Sequence, residues 1–181
     1  FPKNIDPVGR TAIMSKEYDA ILIGAGIIGS CTALEMARKG YRTLNIDKLA
    51  AAGSGSTSNT CAIIRLHYST PQGVTMAREG YFYWIDWPRH LGVADEAGMA
   101  RYVNTGALVM KTERNNNLKS VMACLDELSV VYQELDEEGI RQKLSYVDTR
   151  GYGPPVLSSD ARFGKPTQNS VPGAVYVPES G

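Results

Sequence analysis

The chain has 181 residues, with 19 basic and 19 acidic side chains and no net formal charge at pH 7. That balance excludes a global field drawing it to nucleic acid or to an anionic membrane, and no apolar run approaches a membrane span or a secretion leader. Cys31, Cys61 and Cys124 are widely spaced with no CxxC pair, which argues against a disulfide framework and against zinc. No metal site is expected, and a reducing cytoplasm is the default location. Size and composition suit one domain, or parts of two, in a soluble α/β or α+β protein.

Residues 1–13 show little periodicity, and Met14 stands directly before Ser-Lys-Glu-Tyr-Asp. Met14 reads as the natural start, and residues 1–13 as a disordered arm or a remnant of an expression vector. The stretch 18–47 follows, YDAILIGAGIIGSCTALEMARKGYRTLNID. Residues 20–23 are short and apolar, as in a parallel strand buried on both faces. Gly24, Gly26 and Gly29 then fit G-x-G-x-x-G. The first permits a tight turn, the second lets a pyrophosphate approach the backbone, and the third lets a helix pack closely on the strand. The spacing predicts a helix over 27–39 that ends at Lys39 and Gly40. Its N-terminus, at Ile27 and Ile28, offers unpaired N–H groups to phosphate. A second strand over 42–46 ends in Asp47, whose carboxylate can accept from a ribose 2′-OH. The bland alternative is a glycine-rich turn in an unrelated α/β protein, with Asp47 a solvated strand end. On its own the stretch leaves NAD and FAD level.

Residues 49–60, LAAAGSGSTSNT, are small and hydroxylated, and form a loop rather than a helix or strand. They suit close approach to a flat ligand and binding of phosphate or ribose, although composition alone would equally suit a linker. The segment CAIIRLHY over 61–68 follows. Arg65 there is ambiguous from its chemistry: a charge in an apolar run needs a partner if buried, and a guanidinium is also the best side chain for bidentate capture of a carboxylate. His67 and Tyr68 read more readily as packing or surface residues, though either can reach a ligand held by Arg65. Residues 70–91 read as a long helix capped by Thr70, with Val74, Ala77, Tyr81, Trp84 and Ile85 on one face, a kink or early stop at Trp87-Pro88, and His90 and Gly92 at its end. Its aromatic residues suggest core packing over a cage for a methylated ammonium. A strand over 102–111, a turn at 115–117, a helix through Leu118, Val121, Met122, Leu125 and Leu128, and a short helix over 137–144 capped by Asp136 complete the regular elements. The acidic residues near 125–127 and 134–138 read as solvated faces, and 151–172 as a Gly/Pro-rich loop.

GAGIIG, Asp47, the GSGSTSNT loop and IIRLHY together resemble the FAD-dependent amine oxidoreductases of the D-amino acid oxidase superfamily, nearest the sarcosine oxidase and dimethylglycine dehydrogenase branch. Residues 104–109, NTGALV, and 175–181, VYVPESG, also resemble family segments. The resemblance implies a Rossmann-like FAD-binding βαβ unit plus part of an α+β substrate domain. Its boundaries fall at 14–100 for the FAD-binding part and 101–181 for the substrate part, and a C-terminal half would lie beyond. It implies that Arg65 binds a substrate carboxylate, with Tyr68 a weaker site candidate. Gly24, Gly26, Ile27, Ile28, Gly29, Asp47, Lys48, Gly55, Ser56, Thr57, Asn59, Thr60 and Ile63 would surround FAD. Where the dimethylglycine branch carries a flavin-linked His, this chain has Ser58 or Asn59, which implies non-covalent FAD. Ala62 stands where monomeric sarcosine oxidases carry a further Arg. The implied reaction is hydride transfer from the carbon next to nitrogen to the flavin, giving an imine that water hydrolyses, on a small amino acid or N-methylated amino acid. The expected partners are that substrate and the C-terminal half of the enzyme or a complementary chain. The competing readings are a non-catalytic nucleotide-binding subunit and an NAD-dependent dehydrogenase sharing only the βαβ unit.

Overall fold

A computed structural model describes residues 17–96 and 98–181, so the readings of 1–13 and of Met14 lie outside the described residues. The chain divides into two compact units, at residues 62 and 63. Among the described residues no helix is long and apolar enough to cross a membrane.

In the first unit, strand β1 (Ala20–Ile23) pairs in parallel with β2 (Thr43–Ile46), with Ala20 opposite Thr43 and Ile23 opposite Ile46. Helix α1 (Ile27–Arg38) connects them. Asp19 closes the open end of the pair by accepting from the Arg42 backbone N–H at 2.7 Å. The Asn45 side chain ties β2 to α1 through the Gly29 carbonyl at 3.3 Å. Burial on both faces of β1 is not observed: Ala20 and Leu22 are half-buried, while Ile21 and Ile23 are 61% and 89% exposed. That alternation belongs to a strand covered on one face, here by the connecting helix.

The second unit packs helices on a three-stranded antiparallel sheet. Helix α2 (Pro71–Ile85) starts where the Thr70 hydroxyl accepts from the Gly73 N–H, and Pro71 occupies the first helical position, where its missing N–H costs nothing. The long helix expected over 70–91 breaks at Asp86 (φ −136°, ψ 56°) and resumes as α3 (Trp87–Leu91), which ends on Gly92 in the left-handed region. Pro88 is the cause, because it lacks an N–H and its ring clashes with the carbonyl four residues back. Only Tyr81 of the aromatic run enters the core. Phe82 and Tyr83 are 48% and 41% exposed, Trp84 stacks on Trp87 and Tyr83 on His90, so core packing does not account for the whole cluster.

Strand β3 (Ala107–Met110) is shorter than the strand expected over 102–111. Helix α4 (Lys119–Glu127) follows a short 3-10 turn and buries Cys124 and Leu125. Strand β4 (Gln133–Leu135) falls where acidic solvated faces were expected. Helix α5 (Glu137–Lys143) is capped as expected, with Asp136 Oδ1 accepting from the Gly139 N–H at 2.8 Å. Strand β5 (Ala174–Val177) completes the sheet in the order β3-β5-β4. Leu66, Val74, Tyr81, Leu118, Leu125, Val175 and Val177 form the core of this unit. Asp136→Ala removes the cap and is expected to cost about 1 kcal/mol, read as a lower midpoint in urea with unchanged slope.

Candidate functional site

The first candidate site lies at the carboxyl ends of β1 and β2, the place where open α/β sheets bind ligands. Gly24 leaves β1 with φ +109°, a conformation an L side chain resists, and its N–H donates to the Ile46 carbonyl at 2.7 Å. Gly29 lies so close beneath the turn that a Cβ there would stand 1.9 Å from the Gly24 oxygen. The turn and the first turn of α1 are therefore pressed together, and the helix N-terminus is aimed past the strand ends. No residue in that first turn is acidic, so the N–H groups of α1 keep their partial positive charge for an incoming anion.

Asp47 braces this turn as well as ending β2. Its Oδ2 accepts from the Ala25 N–H at 2.7 Å and its Oδ1 from the Leu49 N–H at 2.8 Å. These two N–H groups, Ala25 first, hold its carboxyl below the ordinary carboxylate range. The stabilising contribution of Asp47 is therefore present above the ordinary range and lost as pH falls through the depressed value. Each carboxylate oxygen retains a second lone pair for a hydroxyl donor.

The 49–60 loop folds back onto the turn instead of leading away from it. The Gly53 N–H donates to the Ala25 carbonyl at 2.8 Å, and the Thr57 hydroxyl accepts from the Ile27 N–H at 2.9 Å. Ser58 and Asn59 side chains both donate to the Gly55 carbonyl, which closes the loop on itself. A groove of about 450 Å3 results, lined by Gly26, Ile27, Ile28, Asp47, Lys48, Leu49, Gly55, Ser56, Thr57 and Thr60. Gly24 instead lines an adjoining cleft with Ile23, Ile46, Asp47 and Lys48. Gly29 serves the packing of helix on turn, Asn59 braces the loop, and Ile63 belongs to the second unit, 64% exposed. Leu49 was not singled out as a site residue, and no sequence signal marks it, because its place depends on how the loop folds back.

The residues present fit a dinucleotide at the glycine turn. The space beside Gly26 is filled only by the Thr57 hydroxyl, 3.0 Å from where a Cβ would sit, so the backbone is open to close approach. The Ile27 N–H, expected to be unpaired, instead donates to the Thr57 hydroxyl, so a phosphate oxygen would have to displace that rotatable side chain to use it.

Arg65 stands in the second unit. Ile64 packs against the core and Leu66 is fully buried, so the extended backbone turns Arg65 to the opposite, exposed side. The desolvation cost of a buried cation therefore does not arise. Its guanidinium lies 5.0 Å from the Tyr68 ring centroid, which brings the two candidate site residues of this segment together. Gly73 leaves room for that ring, since a Cβ there would come within 3.0 Å of the Tyr68 Cβ. His67 is half-buried; burial first, and then the charge of Arg65, lower its pKa, so its imidazole is neutral at pH 7. The family-like segment 175–181 reaches this place too through its last residue: Ile64 N–H donates to the Gly181 carbonyl at 2.6 Å and Gly181 N–H to the Ile64 carbonyl at 2.9 Å. Among the described residues no group of three or more His, Cys, Asp or Glu is placed to hold a metal ion.

A parallel βαβ unit with an open glycine turn, a bracing acid and a loop folded over the helix N-terminus defines a nucleotide-binding α/β protein. The chain belongs to the FAD dependent oxidoreductase (DAO) family, whose sequence model matches residues 19–181. It is 32% identical over 127 residues to "Peroxisomal sarcosine oxidase" of Homo sapiens, over 70% of this chain and 31% of that one. To "Peroxisomal sarcosine oxidase" of Mus musculus it is 30% identical over 136 residues, over 74% and 33%. Among solved structures, L-proline dehydrogenase from P. horikoshii superposes with a TM-score of 0.68 at 20% identity, covering 92% of this chain and 38% of that one, a likeness of fold. The chain spans about a third of the length of the curated relatives it matches.

Proposed function

We propose that this chain is the N-terminal portion of a flavoenzyme that oxidises a C–N bond of a small amino acid or N-methylated amino acid. The observation that carries the reading is the groove at the α1 N-terminus, in a chain that belongs to an FAD-dependent family. Non-covalent FAD would lie with its pyrophosphate along Gly26, Ile27 and Ile28, in Rossmann manner. Its ribose would meet Asp47, and residues 55–60 would line its edge. The cofactor supplies the hydride acceptor, and the protein supplies binding and orientation. Arg65, exposed and steadied by Tyr68, would fix the substrate carboxylate so that the reacting carbon is held in place, which lowers the barrier by orientation. The sarcosine oxidase relatives support a substrate of this kind.

The partner in this reading is the rest of the same enzyme or a complementary chain. The exposure of Ile21, Ile23 and Ile46, apolar residues of paired strands, supports further chain covering them. Three free thiols, Cys31, Cys61 and Cys124, support a reducing compartment, with the cytoplasm as the proposed location.

The absorption spectrum of the full gene product tests the reading. It is expected to show a flavin that acid precipitation releases, and that sarcosine, dimethylglycine, proline or a D-amino acid bleaches without oxygen. A product purified without flavin, and unable to take it up, would sink the proposal. A flavin that none of these compounds bleaches would reduce the chain to a nucleotide-binding subunit.

A further inference from the structure

The segment that carries Arg65 is tied to an ion pair that the cofactor groove does not use. Arg78 lies on α2 and Glu179 in the turn after β5. Arg78 Nε and Glu179 Oε2 face each other at 3.5 Å; both atoms are shielded from solvent, and neither has a hydrogen-bond partner among the described residues. A second nitrogen of the same guanidinium, Nη1, donates to the Leu128 carbonyl at the end of α4 at 2.9 Å, and the group lies 5.8 Å from the Phe82 ring centroid. One cation on α2 therefore joins the end of α4 to the turn that leaves β5. The planar fork of arginine allows this, and the single ammonium of lysine would have to choose between the two acceptors.

The turn held by Glu179 is also the support of residue 64. Gly181 and Ile64 exchange two backbone hydrogen bonds, and the Ser180 carbonyl accepts from the Gly106 N–H at 2.7 Å. Residues 61–68 belong to no helix or strand, so this two-bond bridge fixes the backbone immediately before Arg65. With side chains 30% and 26% exposed, the pair adds little to stability, and its clearest use is to fix geometry. Val74 and Tyr81 already anchor α2 in the core without it.

We propose that Arg78 and Glu179 are positioning residues for Arg65. Their ion pair holds the turn at 179–181, and through the bridge from Gly181 to Ile64 it sets the direction in which Arg65 presents its guanidinium to a substrate carboxylate. The proposal rests on the reading of Arg65 given above. Loss of either partner unties the turn from α2, and the remaining side chain, already partly exposed, is free to swing to solvent.

The test uses the full gene product with its flavin and the variants Arg78→Gln, Glu179→Gln and Arg65→Gln. Arg78→Gln and Glu179→Gln should each raise KM for the carboxylate substrate about tenfold, the low end of what losing the charge-assisted contact of Arg65 would cost, with kcat and flavin content little changed. Arg78→Lys, which keeps the charge, should recover part of the loss. In an Arg65→Gln background Arg78→Gln should add no more than about twofold, because the two residues act on one contact. Independently of turnover, hydrogen exchange at the Ile64 and Gly181 amides should quicken in the substrate-free Arg78→Gln protein. Should that variant fail to fold, Glu179→Gln carries the same comparisons. Full additivity with Arg65→Gln, or unchanged exchange at Ile64, overturns the proposal. If Arg65→Gln itself leaves KM unaltered, the carboxylate reading fails and the proposal falls with it. If Arg65→Gln raises KM and neither Arg78→Gln nor Glu179→Gln does, the positioning proposal alone fails.

Discussion

Gly29→Ala is expected to yield protein that retains no FAD, while the unit built on β3, β4 and β5 stays folded. The added Cβ would lie 1.9 Å from the Gly24 oxygen and 3.0 Å from the Gly24 carbonyl carbon, and both are backbone atoms that no rotamer change can move aside. Helix α1 must lift from the turn, which takes its N–H groups away from the groove and strains the Asp47 brace. Overpacking of this kind costs about 1–3 kcal/mol and occasionally more. Gly26→Ala is the informative contrast. Its Cβ would meet only the Thr57 hydroxyl at 3.0 Å, a side chain able to rotate, so the fold should survive while the close approach of a ligand to the backbone is reduced. Gly80→Ala, on α2 with open space around it, should be neutral or slightly stabilising, by about 0.5–1 kcal/mol. Flavin content of the purified proteins and their thermal melts check all three. Equal flavin in Gly29→Ala and wild type would remove the close packing of helix on turn from the account of the site.

The βαβ unit was legible because its requirements are local. An apolar run, three glycines at fixed spacing, a stop at Lys39-Gly40 and a terminal acid all lie within thirty residues, and each constrains the backbone by itself. The fold of the 49–60 loop was not legible. Its contacts run from Gly53 to Ala25 and from Thr57 to Ile27, across a helix and a strand, and composition records none of that. For the same reason Leu49 was missed as a lining residue. The sequence left Arg65 ambiguous between a buried charge and an exposed one, and which way it would turn between Ile64 and Leu66 depended on the bridge to Gly181, more than a hundred residues away in sequence.

The antiparallel sheet shows the same division. Strand β4 has only three residues, Gln133, Glu134 and Leu135, two of them polar and exposed, so no period could reveal it. It exists because β5 offers a partner, and Lys111 at the end of β3 pairs with Glu134 across β5. The strand expected over 102–111 shortens because residues 104–106 serve a different purpose. Gly106 takes φ +73° and donates to Ser180, and a Cβ there would collide with the Tyr176 ring. The segments 104–109 and 175–181, read separately as family-like motifs, are thus two sides of one structure: β3 pairs with β5, and their flanking residues hold the turn that supports Ile64.

Arg65→Gln is expected to raise KM for a carboxylate substrate by about tenfold to a hundredfold, with flavin content and melting temperature nearly unchanged. The magnitude is that of a hydrogen bond to a charged group, about 1.5–3 kcal/mol. The fold should tolerate the change because the side chain is exposed and its visible contact is the Tyr68 ring, an exposed cation–π pair worth about 0.5–1 kcal/mol. Leu66 and Ile64 hold the backbone whatever stands between them. Arg65→Lys should fall between wild type and Gln, since an ammonium keeps the charge and loses the bidentate fork that matches a carboxylate. An amine substrate without a carboxylate separates binding from chemistry: its KM should not respond to either substitution. If KM for carboxylate substrates stays at the wild-type value in Arg65→Gln, the guanidinium lies outside the site, and the carboxylate must be held by residues other than Arg65.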